Sequence, residues 1–340
     1  MIDLLRRLCS APGVSGDEQT VAQVICNEFA PYANHVGIDQ NGNVIAEMGN
    51  TEAERHILLD AHLDQIGLIV TKIDKQGFLR IAPCGGVDRR VLMGARVLVC
   101  GTRQITGVIS CLPPHLIKGG EDQVPLIDQL AVDTGFSKSE IENIVKPGDR
   151  VLFDTSLKVL IGKRVSAPGL DNRAGVASLI RCAELLSKKK FYDKISFVCS
   201  VQEETGGTGA KTASYSLDPV EAIMVDVSYA EQPEVSSEKS GKMGEGPMIG
   251  ISPTLSKTVF NSLIQTAQEN RIPYQLEVMG GNTGTNADEV TNTRRGIPSG
   301  LISIPLRNMH TQAEVIDWQD IEDTAQLLAS YVENGGNFHA

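Results

Sequence analysis

Two neighbouring carboxylates, Glu203 and Glu204, stand where an apolar run, Ile195 to Cys199, gives way to the glycine-rich loop Thr205-Gly206-Gly207-Thr208-Gly209. In open α/β sheets, chemistry gathers at the carboxyl ends of the strands. Successive side chains on a strand point to opposite faces, yet at a strand end the chain turns, so both acids can reach one crevice. Two uncompensated anions side by side are costly unless a cation lies between them. Taken alone, such a pair reads as an exposed acidic loop. Residues far away in the sequence change that reading. His62 and Asp64 follow the run His56 to Asp60, Asp171 precedes a helical stretch, Asp226 ends the run Glu221 to Val227, and His310 follows Gly300 to Ile304. All fall at a strand end or a helix start, which is one edge of a parallel sheet.

Each of these residues also has an ordinary reading. His62 suits a core histidine, Asp171 an N-cap, Asp226 an exposed strand terminator, and His310 a solvent-facing loop residue. Together they describe a metal centre. The spacing His62-Leu63-Asp64 lets the carboxylate fold back onto the far ring nitrogen, the partner a ligating histidine usually needs. Two imidazoles and four carboxylates without a thiolate suit zinc first, with cobalt or manganese as alternatives. Six candidates exceed one tetrahedral ion with an open position. They suit two ions ~3.5–4 Å apart that share a bridging carboxylate. One acid then stays outside the ligand set as a general base, and the pair Glu203 and Glu204 supplies it.

The elements that must position these groups follow from periodicity and punctuation. Helices are expected at 2–10 and 16–31, the second opening with a capping-box pattern, Ser15-Gly16-Asp17-Glu18. A hairpin turning at Asn41-Gly42 comes next, then a buried strand from His56. Residues 66–166 change character: short β-rich runs broken by glycines, with one modest helix near Ser137 to Ile144, predict a small β-barrel or sandwich inserted into the chain. Within it, Pro113-Pro114-His115 and Lys118-Gly119-Gly120-Glu121 mark an exposed loop. After Pro168, helices at 172–186, 208–215, 258–270 and 318–332 alternate with strands at 195–201, 221–227, 274–279 and 300–304. That order predicts a mostly parallel sheet covered by helices. The expected organisation is a discontinuous catalytic domain, 1–65 and 167–340, around an inserted β-rich domain, 66–166.

Composition narrows the function. A net charge of −11 argues against a nucleic-acid partner, which needs basic stripes. No run approaches ~18 apolar residues, so no membrane span is expected. The N-terminus has no signal-peptide core, and the seven cysteines have neither close pairing nor C-x-x-C spacing. A reduced, cytoplasmic setting is the expectation.

The segments AHLD (61–64), GLDNRAG (169–175), SVQEETGGTGA (200–210), VDVSYA (225–230) and RNMH (307–310) resemble, in order, those of the M42 family of metallo-aminopeptidases. The resemblance extends over nearly the whole chain, including the insert and its Pro-Pro-His loop. It implies a phosphorylase/hydrolase-like, three-layer α/β/α sandwich carrying a β-rich insert. It also implies that His62, Asp171 and Asp226 hold one ion, that Asp171 bridges to a second held also by Glu204 and His310, that Glu203 is the general base, and that Asp64 orients His62. The implied substrates are short peptides cut at the N-terminus, and the implied assembly is a homo-oligomer built from dimers, up to a hollow tetrahedral dodecamer. Two stretches depart from the family pattern: Gly284-Thr285-Asn286-Ala287 where Gly-Thr-Asp-Ala is usual, and Thr205-Gly206-Gly207-Thr208 where Val-Gly-Leu-Arg is usual. Substrate preference is expected to hide near the second. The rival functions are another di-metal hydrolase, acting as a deacylase or on glycans, and a non-catalytic peptide-binding scaffold.

Overall fold

The computed structural model describes residues 1–112 and 124–334; the Pro113-Pro114-His115 loop and Lys118 to Glu121 lie outside the described residues. The chain opens with α1 (Ile2–Ser10), α2 (Gln19–Phe29), the hairpin β1 (His35–Ile38) and β2 (Val44–Gly49), and β3 (His56–His62). At the hairpin, Gly42 takes the positive φ the turn requires, and one oxygen of Asp39 accepts the N–H groups of Asn41, Gly42 and Asn43. Then come β4 (Gly67–Ile73), β5 (Leu79–Cys84), β6 (Arg96–Cys100), β7 (Gln104–Ile109), β8 (Ala131–Asp133), α3 (Lys138–Ile141) and β9 (Arg150–Phe153). The remainder comprises β10 (Lys158–Val159), β11 (Arg164–Ala167), α4 (Leu170–Leu186), β12 (Lys194–Ser200), α5 (Thr208–Leu217), β13 (Glu221–Tyr229) and β14 (Met248–Ile251). It ends with α6 (Lys257–Asn270), β15 (Gln275–Val278), α7 (Asn286–Thr291), β16 (Ser299–Arg307), β17 (Glu314–Asp317) and α8 (Trp318–Glu333).

β12, β3, β13 and β16 lie side by side and parallel, as near-continuous apolar runs buried on both faces should. Antiparallel strands flank them, β1 and β2 beyond β12, and β17, β11 and β10 beyond β16. The alternation along each strand sorts its side chains into two layers. Ile57, Leu59, Ile223 and Val225 face the core under α1, α2, α4, α6 and α8, whereas Leu58, Ala222, Met224 and Leu301 face α5 and α7. Removing a fully buried leucine such as Leu59 from water stabilises the fold by ~1.5–3 kcal/mol. The result is a three-layer α/β/α sandwich.

β4, β5, β8, β7, β6 and β9 close into a separate small barrel around Leu68, Val70, Ile81, Val97, Val99 and Val151. Closure leaves no unpaired strand edge. This is the β-rich insert the glycine-broken runs predicted, joined to the sandwich between β3 and β10.

α2 begins later than its sequence suggests, at Gln19 rather than residue 16. The expected capping box does not form because its parts are used elsewhere. Ser15 Oγ bonds Thr205 Oγ1 at 2.8 Å, and Glu18 Oε1 accepts the N–H of Gly16 at 2.6 Å. Gln65 N–H donates to Gly13 and Ser15 N–H to Gln65, so the segment before α2 is tied to the chain leaving β3.

Candidate metal centre

Five chain segments meet at the carboxyl ends of the parallel strands. β3 ends in His62, β13 carries Asp226 near its end, and the turn after β12 carries Glu203 and Glu204. Asp171 comes from the start of α4, and His310 from the connection between β16 and β17, where it adopts a φ of 62°. At the start of α4 the capping role falls to the neighbour of Asp171. Asn172, joined to it by a cis peptide bond, accepts the N–H of Gly175 at 3.0 Å and donates to the Val225 carbonyl at 2.8 Å. Asn172 is the cap, and the Asp171 carboxylate is left to face the crevice.

That carboxylate stands between two imidazoles. His62 Nε2 lies 3.1 Å from Asp171 Oδ1 and 3.6 Å from Asp226 Oδ1. His310 Nε2 lies 3.3 Å from Asp171 Oδ2 and 3.6 Å from Glu204 Oε1. Two groups able to hold an ion result, His62/Asp171/Asp226 and Asp171/Glu204/His310, each with ligand atoms within 4.8 Å of one another. They share Asp171, which turns one oxygen to each. Glu203 belongs to neither group, yet it lines the same cavity of about 280 Å³.

The ring tautomers suit ligation. His62 Nδ1 faces the Asp64 carbonyl at 3.1 Å and Asp64 Oδ1 at 3.4 Å, and His310 Nδ1 faces the Gly86 carbonyl at 3.0 Å. These neighbours only accept, so each Nδ1 carries a proton, and each Nε2, turned toward the carboxylates, is the nitrogen an ion would take once its own proton is displaced. The residues present fit a pair of cations on a second count. Among the described residues, Glu204 Oε1 is buried with no hydrogen-bond partner, and neither lysine nor arginine lines the cavity. Buried carboxylates without a counter-charge are strongly disfavoured.

The electrostatics record the same shortage. Burial pushes Glu203 up to about 8 and Glu204 up to about 9, reinforced by the neighbouring carboxylates. Burial likewise raises Asp226. Burial alone would raise Asp171 too, but hydrogen bonds from His310 and His62 outweigh it and hold Asp171 below the usual carboxylate range. Burial opposes charge on His62, yet Asp171, Asp226 and Asp64 together keep it well above the ordinary imidazole value. The bond to Asp171 lifts His310 to about 9.

Several residues that set this geometry escaped the sequence reading. Glu314 is 1% exposed and accepts two backbone N–H groups, from His310 at 2.9 Å and from Asp171 at 3.2 Å, so one side chain fixes two would-be ligands. The only hint is its place four residues after His310. Asp64 does more than face His62. Its two oxygens accept the N–H groups of Glu203 at 3.1 Å and Glu204 at 3.2 Å, joining β3 to the glutamate turn. Gly86, straight after β5 of the barrel, has no room for a side chain: a Cβ there would come 2.7 Å from His310 Nδ1. Asn286 explains one departure from the family pattern. It donates to Asp60 at 2.8 Å and to Ser200 at 2.9 Å, all three buried, so a carboxyl at 286 would confront the Asp60 carboxyl. The loop Thr205 to Thr208 lies outside the cavity lining, whereas Thr283 to Thr285 form part of it, pinned by N–H donation from Thr283 and Gly284 to Asp288.

Comparison with known proteins places this geometry. Residues 42–327 match the family model described as M42 glutamyl aminopeptidase. The lysyl aminopeptidase of Pyrococcus furiosus is 33% identical over 337 residues, covering 97% of this chain and 96% of its own. The aminopeptidase APDkam598 from the archaeon Desulfurococcus kamchatkensis superposes with a TM-score of 0.92 at 33% identity, over 98% of this chain and 94% of that one. The Pyrococcus horikoshii TET1 peptidase, described as able to assemble into a tetrahedron or a large octahedral shell, gives 0.86 at 33% identity, over 97% and 98%. No helix among the described residues is long and apolar enough to cross a membrane. Matching along nearly its whole length, and holding two cation-binding groups that share Asp171, the chain belongs to the M42 family of metallo-aminopeptidases.

Proposed function

We propose that this enzyme removes N-terminal residues from short peptides, with Glu203 as general base and with ligands His62, Asp171 and Asp226 for one ion and Asp171, Glu204 and His310 for the other. The observation that carries this reading is the division of the adjacent pair: Glu204 joins an ion-holding group, while Glu203 borders the same cavity uncommitted. When bound, two divalent ions (zinc first, with cobalt or manganese as alternatives) polarise the scissile carbonyl and lower the pKa of water toward ~7. Glu203 takes a proton from the attacking water and returns it to the amine that leaves. Asp64 keeps base and ligand in register, because it faces the His62 ring and anchors the Glu203 backbone with the same carboxylate. The wealth of cavity carboxylates favours a substrate bearing a free α-ammonium, hence an exopeptidase.

The relatives do not agree on the residue removed, since the family description names glutamyl and the Pyrococcus furiosus protein lysyl activity. Assembly into a homo-oligomer, built from dimers up to a tetrahedral dodecamer, is part of the same reading, and the Pyrococcus horikoshii peptidase, described as able to form a tetrahedron or a large octahedral shell, supports it. In that arrangement the inserted residues 66–166 would serve subunit contact and substrate access. Seven free cysteines support a reducing, cytoplasmic setting.

Hydrolysis of free and N-acetylated peptides, by chelator-stripped and ion-reloaded protein, tests the proposal. Activity on free peptides that vanishes with chelator and returns with ions is expected. Cleavage of blocked peptides alone, or of β-glucan in preference to peptide, overturns it.

A further inference from the structure

The cavity wall holds a fifth carboxylate that the metal centre does not use. Beside Asp171, Glu203, Glu204 and Asp226 stands Glu277, from β15. Two divalent ions balance the first four negative charges. Glu277 lies in neither ion-holding group, and among the described residues no lysine, arginine or histidine pairs with it. It is a half-buried anion with no cation of its own.

Its position is fixed from two sides. Ser228 Oγ donates to Glu277 Oε1 at 2.5 Å, and Ser303 Oγ donates to Oε2 at 2.6 Å. Hydroxyl donors hold the carboxylate in one orientation without neutralising it, and each oxygen keeps a lone pair to offer. Both serines flank a proposed ligand. Ser303 is the register partner of Asp226 across the parallel β13–β16 pair, and Ser228 lies two residues beyond Asp226 on the same strand face. Glu277 is therefore anchored about one same-face step, ~6–7 Å, from the ion-holding edge. The lining of the same cavity is partly apolar, with Leu301 and Met309 among its residues. An aliphatic stem along such a wall with a charged head at its end is how lysine and arginine side chains partition.

We propose that Glu277 closes the subsite for the substrate's N-terminal side chain, and that the enzyme prefers lysine or arginine there. This rests on the aminopeptidase reading above and sharpens it. A glutamyl side chain would meet Glu277 as a like charge, so acidic N-terminal residues are disfavoured at the same position.

The test compares kcat/KM for the p-nitroanilides of Lys, Arg, Leu, Ala and Glu, using ion-loaded wild type, Glu277→Gln and Glu277→Lys. Wild type should favour Lys and Arg over Leu and Ala by roughly ten- to a hundredfold, the worth of a hydrogen bond to a charged group. Glu277→Gln should lose that factor on Lys and Arg while leaving Ala and Leu within about twofold, the mark of lost side-chain binding. Glu277→Lys should turn the preference toward Glu, which a merely structural role for the carboxylate would not do. Hydrolysis of Leu, Ala or Glu substrates as fast as Lys overturns the subsite and leaves the aminopeptidase reading standing. An equal loss on every substrate in Glu277→Gln also overturns it, and assigns the carboxylate to the shared α-ammonium or to the wall. Failure of the loaded wild type on all five substrates removes the aminopeptidase reading, and this inference with it.

Discussion

The same three parallel strands carry buried charge at both ends, and the two ends solve the problem differently. Where β12, β3 and β13 begin, Asp193, Arg55 and Glu221 lie together. Arg55 donates to Asp193 at 2.6 Å and to Glu221, while Tyr331 donates to Glu221 at 3.2 Å. Burial still raises Glu221, but Arg55 pulls it back. Where the strands end, Glu203, Glu204, His62 and Asp226 face one another with, among the described residues, no guanidinium or ammonium in the cavity lining, and the glutamates climb to about 8 and 9. One edge brings its own cation and is finished when the chain folds. The other edge leaves its cation to arrive from solution, which makes it a binding site rather than a staple.

Substitutions at the two edges should then produce opposite phenotypes. The largest effect is expected for Glu203→Gln, which should lower kcat by ~10²–10⁴-fold with ion content unchanged by elemental analysis. A fully active variant would show that the base is elsewhere. At the other edge, Arg55→Met should cost ~3–5 kcal/mol of stability by leaving Glu221 buried without a cation, measured by urea unfolding, with kcat of the folded fraction intact. If Arg55→Met instead stripped ions, the two edges would not be independent. Asp64→Asn should weaken ion affinity or activity by ~10–100-fold, because one of its two N–H acceptors is lost and the His62 ring loses its anionic partner. The smallest effect is read per unit of pH. Glu204 and His310 each hold a proton up to about 9, and an ion bound by them must displace it. Affinity should therefore rise with pH, about tenfold per unit for each proton released, and level off above pH ~9, as followed by competition with a chromogenic chelator. A flat profile would mean that the carboxylates are already ionised in the free protein.

How much of this was legible depends on the range over which the information is carried. The parallel strands announce themselves as apolar runs, and the chemistry-bearing residues come at their ends, so the six groups could be placed on one edge from sequence. Short elements with no periodicity to display, β14, β17 and α7, were not visible, and with β17 went Glu314. Glu277 sits in the run Tyr274-Gln275-Leu276-Glu277-Val278, where alternation suggests a solvent-facing acid. Its meaning depends on Ser228 and Ser303, on strands distant in sequence but adjacent in the sheet. A serine in each of two otherwise apolar strands was the available signal. Asp171 shows the reverse case: capping preference and ligand role were indistinguishable in sequence, and one bond from Asn172 to Gly175 separates them.

The carbonyl that holds the His310 ring belongs to Gly86, on the connection between β5 and β6 of the barrel, and Gly85 beside it packs against Glu204. Through these two glycines the insert braces one of the two ion-holding groups, Asp171/Glu204/His310. A shift of the β5–β6 connection would therefore tilt an imidazole and move a carboxylate while every strand of the main sheet stayed in place.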